Sequence, residues 1–306
     1  MCGRFALAYE FDELPAQIAK HESFKSAPKI SKDAKDMKED VKSKSYNIPP
    51  TKFCPVWNAT DGQLYFMRWG LIPAFSEEPL KYTTFNARIE SLNRSSIWKK
   101  PMEKNQYCAV PMSGYFEWRK TTDKQPFYLK RKDSKVMFIA GLYERKREDD
   151  DSEHYSFTLI TSPAPKGLEW LHARMPIILE PGTKKWDDWL QHGKITNAEF
   201  DPDLYEYYPV SREVGKVGND GPDLIVKKEE TRLTPEQPAT KRGRLKKEAS
   251  KGNHDVLKLM GKRSRKVEKS PPSVKEKHEA KRKGVKQEDP DELRNKRAKT
   301  ESSQKE

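Results

Sequence analysis

The run "YCAVPMSGYFEWRK", residues 107–120, decides the fold. It is short, crowded with aromatic and β-branched residues, and followed by more runs of the same kind: "PFYLKR" (126–131), "KVMFIAGLYE" (135–144) and "HYSFTLITS" (154–162). Turn residues separate them, which is the signature of strands joined as hairpins. The pattern extends upstream, where "CPVWNA" (54–59) leads through the turn signal Asp61-Gly62 into "LYFMRWGLIP" (64–73). Helical patterning is confined to "DELPAQIAK" (12–20), "APKGLEWLHA" (164–173) and "TKKWDDWLQ" (183–191), the last with Thr183 as N-cap. A first strand is expected at "RFALAY" (4–9) and a last at "YYPVSREV" (207–214). Strands outnumber helices and do not alternate with them, so the expected class is α+β: one domain dominated by antiparallel, barrel-like sheet with a few short helices.

That domain is expected to span residues 2–226. Within it, residues 21–45 are rich in Lys, Asp and Ser and read as a flexible insertion. Residues 227–306 contain no Trp, Tyr, Phe or Cys and read as a disordered tail. The tail holds 26 basic against 14 acidic residues, a net of +12, and leaves only +1 of the chain's +13 for the first 226 positions. A near-neutral domain tethered to a polycation suits an anionic polymer, nucleic acid first. "KRGRLKK" (241–247), "KRSRK" (262–266) and "NKRAK" (295–299) resemble nuclear localisation signals or nucleic-acid patches; the expected location is nuclear, with a cytoplasmic pool left open. No apolar run approaches the roughly 18 residues of a membrane span, and no signal peptide precedes the domain, so neither membrane nor secretion is expected. Cys2, Cys54 and Cys108 lack metal-ligand spacing, which argues for a reducing compartment and no metal or other cofactor.

Polar residues of chemical interest stand in apolar settings at four places. "MCGRF" (1–5) puts a cysteine behind the initiator methionine, and removal of Met1 would leave a 1,2-aminothiol. Both of its nucleophiles titrate near neutrality, at about 8 to 8.5 in unperturbed form. Such a pair condenses with an aldehyde to an imine, which sulfur then closes to a thiazolidine; the alternative is an ordinary buried cysteine. "TTFNARIES" (83–91) offers Asn86, Arg88 and Glu90, "GYFEW" (114–118) places Glu117 between aromatics, and "LHARMP" (171–176) supplies His172 and Arg174. Apolar neighbours would raise the pKa of Glu117 and fit it to take a proton from the ammonium, while His172 could serve the carbinolamine oxygen. Asn86 could hold a hydroxyl or the amine. Arg4, Arg88 and Arg174 could grip phosphates, although Arg88 could equally pair with Glu90.

"MCGRF", "RWGLIP" (68–73), "NARIES" (86–91), "GYFEW" and "HARMP" (172–176) resemble, in that order, the signature blocks of the SOS response-associated peptidase (SRAP) family. The similarity covers residues 2 to 226. The resemblance implies a DNA damage response protein that joins Cys2 covalently to an abasic site in single-stranded DNA through a thiazolidine, shielding the lesion. It also implies Asn86, Glu117 and His172 as the supporting catalytic residues, and a peptidase label that stems from self-removal of Met1. Eukaryotic members are abasic-site processing proteins, also described as binders of 5-hydroxymethylcytosine. The expected partner is single-stranded DNA containing abasic sites, with replication-fork proteins as candidates; the tail lacks the paired aromatics of a sliding-clamp box. A monomer is expected. Trp69 and Trp118 could stack on bases or belong to the core, and Asn47 and Pro49 of "YNIPPT" (46–51) could shape a loop near the DNA. Two other readings remain: a thiol peptidase acting in trans through Cys2 and His172, and a non-covalent reader of modified cytosine.

Overall fold

The computed structural model describes residues 2–35, 43–76, 84–147 and 153–229. Most of the tail, from residue 230 on, and residues 36–42 of the insertion lie outside the described residues.

The 107–120 run is two strands, not one. β7 (Tyr107–Met112) and β8 (Gly114–Trp118) part at Ser113 and enter different sheets. Ser113 makes the joint: its N–H donates to the Ala6 carbonyl at 2.8 Å, and its hydroxyl accepts the Ala8 N–H at 2.8 Å. β7 is buried at every position, as expected of a strand covered on both faces.

β4 (Phe53–Asn58), β5 (Gln63–Trp69), β7, β10 (Met137–Arg147) and β11 (Glu153–Pro163) form a ring. Four of its pairings are antiparallel, in the order β5-β4-β7-β10-β11. The fifth, β11 against β5, is parallel, with Phe157 opposite Trp69, and it closes the barrel. Closure leaves this ring without an open edge. Gly141 is required where β10 passes its neighbours, because a Cβ there would sit 2.9 Å from both Cys108 Sγ and the Thr158 carbonyl oxygen.

The second sheet runs β14 (Tyr205–Pro209), β9 (Pro126–Arg131), β8, β1 (Arg4–Leu7) and β3 (Ser45–Ile48). β1 lies between β8 and β3, antiparallel to both, so the amino terminus feeds an interior strand of the sheet. Phe5 projects toward the barrel and meets Trp69 at 5.1 Å between ring centroids. The architecture is thus the β-rich α+β arrangement expected.

Three local expectations need correction. Residues 21–35 are not loose: His21 is buried with Nε2 2.7 Å from the Val136 carbonyl oxygen, β2 (Lys29–Ile30) pairs with β5, and Ala34 is buried. Average composition missed one aromatic anchor, Phe24, whose ring lies 5.7 to 6.2 Å from those of Trp57, Phe138 and Trp186. The 164–173 segment forms turns instead of a helix, because Pro165 and Gly167, at φ +93°, interrupt the helical path. Trp69 is fully buried, in contact with Phe5, Phe85 and Phe157, and its Nε1–H donates to the Phe85 carbonyl at 2.9 Å. It is a core residue, not a stacking surface.

Among the described residues the α-helices are few: α1 (Leu14–Ile18), α2 (Lys32–Lys35), α3 (Ser96–Glu103) and α4 (Lys184–His192). Thr183 caps α4, its hydroxyl accepting the Trp186 N–H at 3.3 Å.

Candidate functional site

The site forms where the amino terminus, the end of β8 and the end of β11 meet. The β1–β8 pairing sets Arg4 opposite Phe116 and Phe5 opposite Tyr115. Extending this register by one or two residues brings Gly3 and Cys2 alongside Glu117 and Trp118. Alternation along β8 then puts Tyr115 and Glu117 on one face and Phe116 and Trp118 on the other. Phe116 and Trp118 accordingly pack in a separate cluster with Ala6, Tyr128 and Val210, away from Glu117.

β11 supplies the opposite wall. β6 (Asn86–Arg88) pairs parallel with it, Asn86 opposite Leu159, and β12 (Arg174–Pro176) pairs antiparallel, Arg174 opposite Pro163. One strand thereby carries Asn86 on one flank and His172, two residues before β12, at the end of the other. Asn86 reaches the amino terminus directly: Nδ2–H donates to the Cys2 carbonyl at 2.7 Å. Its Oδ1 is buried and has no hydrogen-bond partner among the described residues.

Cys2 is fully buried. Burial, reinforced by the Glu117 carboxylate, pushes its thiol far above the ordinary range. Its Sγ–H lies 3.6 Å from the Arg4 carbonyl oxygen. Glu117 is only 5% exposed, and burial raises its carboxyl, with the positive charge of the amino terminus pulling the other way. Tyr115, which the sequence reading missed, is buried beside both and pushed up by burial and by the Glu117 and Cys2 charges. Its signal was the i, i+2 spacing from Glu117 in "GYFEW".

Tyr115, Glu117, Leu168, Leu171, His172 and Arg174 line one small cavity. His172 is pulled down to about 4, first by burial and then by the positive amino terminus, so it is neutral at physiological pH. Nδ1 lies 3.0 Å from the Arg174 backbone nitrogen and 3.1 Å from the Arg174 carbonyl oxygen; the tautomer with the proton on Nδ1 donates to that carbonyl and leaves Nε2 able to accept a proton. A raised carboxyl, a neutral imidazole and an amide anchoring the terminal backbone thus surround the start of the chain. That set can shuttle protons at an amine and an adjacent oxygen.

The remaining sequence candidates divide. Arg174 is committed to structure, donating to both Glu90 carboxylate oxygens at 3.0 Å and to the Thr161 carbonyl at 2.6 Å, so Glu90 pairs with Arg174 instead of Arg88. This engagement leaves Arg174 poorly placed to grip a phosphate unless Glu90 is displaced. Arg88 is exposed. Arg4 is half-buried, its guanidinium donating to the Gly3 carbonyl at 2.9 Å. Asn47 is buried and pins the closing loop through Nδ2 to the Val214 and Asn219 carbonyls, which is a structural task. Pro49 lines a separate cleft of about 720 Å³ with Tyr9, Phe53 and Phe66. Among the described residues no group of His, Cys, Asp or Glu could hold a metal ion, and no helix is long and apolar enough to cross a membrane.

Residues 1–217 match the family described as SOS response associated peptidase (SRAP). The abasic site processing protein YMR114C of Saccharomyces cerevisiae is 39% identical over 252 residues, covering 74% of this chain and 67% of that protein. The abasic site processing protein YoqW of Bacillus subtilis is 31% identical over 238 residues, 74% of this chain and 99% of that protein. A crystal structure from Bacteroides thetaiotaomicron, 22% identical, superposes with a TM-score of 0.61 over 74% of this chain and all of that one, a likeness of fold.

Proposed function

The chain belongs to the SOS response associated peptidase family, and from that premise we propose that it captures abasic sites in single-stranded DNA through a thiazolidine on Cys2 once Met1 has been removed. Its relatives are named as abasic site processing proteins. The open-chain sugar of such a site carries an aldehyde at C1′. The Cys2 amine adds to that carbon to give a carbinolamine, water leaves to give the imine, and the thiol adds across C=N. One aldehyde and one aminothiol become one thiazolidine and one water.

The observation that carries this reading is the anchoring of the Cys2 carbonyl by Asn86 beside the buried Glu117. Asn86 holds in place the backbone of the residue that carries both amine and thiol, so that two encounters become one oriented reaction. Glu117 takes the ammonium proton, and burial raises its affinity for that proton. The thiol is held protonated by burial, so its proton must pass to a neighbouring base as sulfur attacks, and neutral His172 or ionised Glu117 can accept it. His172 also returns a proton to the carbinolamine oxygen as water departs. Removal of Met1, by self-processing or by an aminopeptidase, exposes the Cys2 amine. The basic tail supplies long-range attraction to the strand and a nuclear address.

A thiol peptidase acting in trans fits less well, because such enzymes depress their nucleophile's pKa whereas burial here drives that of Cys2 upward. The test is a denaturing gel of the purified chain with a single-stranded oligonucleotide bearing one abasic site. A heat-stable shifted band is expected, absent with intact DNA, with methoxyamine-treated DNA and with Cys2→Ala. A band of equal intensity from Cys2→Ala would end the proposal.

A further inference from the structure

Of the chain's seven tryptophans only Trp170 is exposed, at 41%. It stands in the Lys166–Leu171 turn, which continues directly into His172, and Leu168 and Leu171 of that turn line the cavity of Glu117 and His172. The turn is fastened to the end of β8, where the Lys120 N–H donates to the Leu171 carbonyl at 3.2 Å. Across the β8–β9 pair Glu117 lies opposite Phe127, on the same face of the sheet. The Trp170 ring meets Phe127 edge-on, 5.1 Å away at 82°, and lies 5.6 Å from Tyr207, which in turn touches Phe200 at 5.7 Å. With directly opposed residues about 5 Å apart, these steps set the indole on the order of 10 Å from the Glu117 carboxylate. The Arg119 guanidinium stands 5.7 Å from the Phe127 ring, and the exposed cations Lys120 and Lys166 flank the turn, with Glu169 its one carboxylate.

A tryptophan placed only to fill volume would be covered, as Trp69 and Trp189 are. Trp170 is instead buttressed by aromatic rings while much of its indole meets water. It adjoins the reactive cavity at a distance that one or two nucleotides span. Resting on the abasic-site reading above, we propose that Trp170 is a stacking platform for a base of the single strand immediately beside the lesion. It would hold the neighbouring nucleotide so that the sugar enters the cavity, with Lys120 and Lys166 attending the phosphates. Base–aromatic stacking tolerates every sequence, which suits a lesion that arises anywhere.

The full-length chain without Met1 is titrated, by fluorescence anisotropy, against oligonucleotides carrying tetrahydrofuran at the lesion, which has no aldehyde and reports non-covalent affinity alone. Three versions are used: bases on both sides, two baseless positions on the 5′ side, and two on the 3′ side. Trp170→Leu is expected to weaken binding of the first about tenfold, and Trp170→Phe to recover most of that. On one of the two baseless-flank versions the Leu variant should bind as the wild type does, since the base it would stack is gone; that version identifies the side. Equal affinity of Trp170→Leu and wild type on the first, or the same loss on all three, overturns the proposal. Should the Leu variant fold poorly, wild type and Trp170→Phe carry the test: indole quenching present in the first and absent in the second must vanish with one baseless flank, and quenching indifferent to both flanks overturns it. The aldehyde-bearing oligonucleotide run alongside with wild type separates the two claims, because failure to crosslink there refutes the chemistry and not the platform.

Discussion

Replacing Trp69 by phenylalanine separates its assignment to the core from a role in DNA stacking. The indole is fully buried among Phe5, Phe85 and Phe157 and donates to the Phe85 carbonyl. That carbonyl also accepts the Leu159 N–H at 3.1 Å, so losing the indole bond leaves it with one partner and costs about 1 kcal/mol. Trimming the bicyclic ring leaves a void in a closed barrel that cannot collapse freely. Complete truncation of a buried tryptophan costs about 3–5 kcal/mol, so the partial loss adds about 1–2 kcal/mol. The expected destabilisation of Trp69→Phe is therefore about 2–3 kcal/mol, read by urea denaturation of the full chain with linear extrapolation. Affinity for single-stranded DNA, measured where both proteins are folded, should change by less than a factor of three. A variant within about 0.5 kcal/mol of wild type that loses about tenfold or more in DNA affinity would refute the core assignment.

Glu117→Gln keeps the shape of the side chain and removes its proton chemistry; adduct formation at neutral pH should slow by about 10² to 10⁴ in quench-and-gel time courses. The same variant changes the pH dependence of stability. A carboxyl whose folded pKa lies above its unfolded value favours the fold at low pH and loses that contribution as pH rises through the folded pKa, so Gln should stabilise relative to Glu more at pH 8 than at pH 4, by denaturant melts at both. Asn86→Ala frees the Cys2 carbonyl and should slow capture about tenfold to a hundredfold, a rate effect distinguishable from stability loss by thermal melting. Deleting residues 230–306 should slow capture at low salt and flatten its salt dependence, while the fraction finally crosslinked stays the same.

Much of this architecture was legible in the chain because aromatic and β-branched runs between turns leave few options but antiparallel sheet. The division of 107–120 at Ser113 was not, since both halves are equally apolar and only tertiary hydrogen bonds to Ala6 and Ala8 separate them. The parallel closure of β5 on β11 joins residues some ninety positions apart and has no local signal. Burial explains the errors at single residues. Trp69, between Arg68 and Gly70, gives no hint of which way it faces, and Phe24 anchors a stretch whose average composition reads as loose. At the site, the readable part was residue type: Cys2, Asn86, Glu117 and His172 do converge on one seam. What the sequence withheld was the pairing of Arg174 with Glu90, because alternative carboxylate and guanidinium partners look alike until strands set their register.

The central claim is that nitrogen and sulfur of a single terminal residue are both bonded to the sugar carbon. Intact-mass spectrometry of the chain lacking Met1, after mixing with an abasic oligonucleotide and without any reductant, tests it most directly. The account predicts one new species at the summed masses less one water, which borohydride added afterwards leaves unchanged because no C=N bond remains, and none when the α-amine has been acetylated beforehand. An undiminished adduct on the acetylated protein would contradict it.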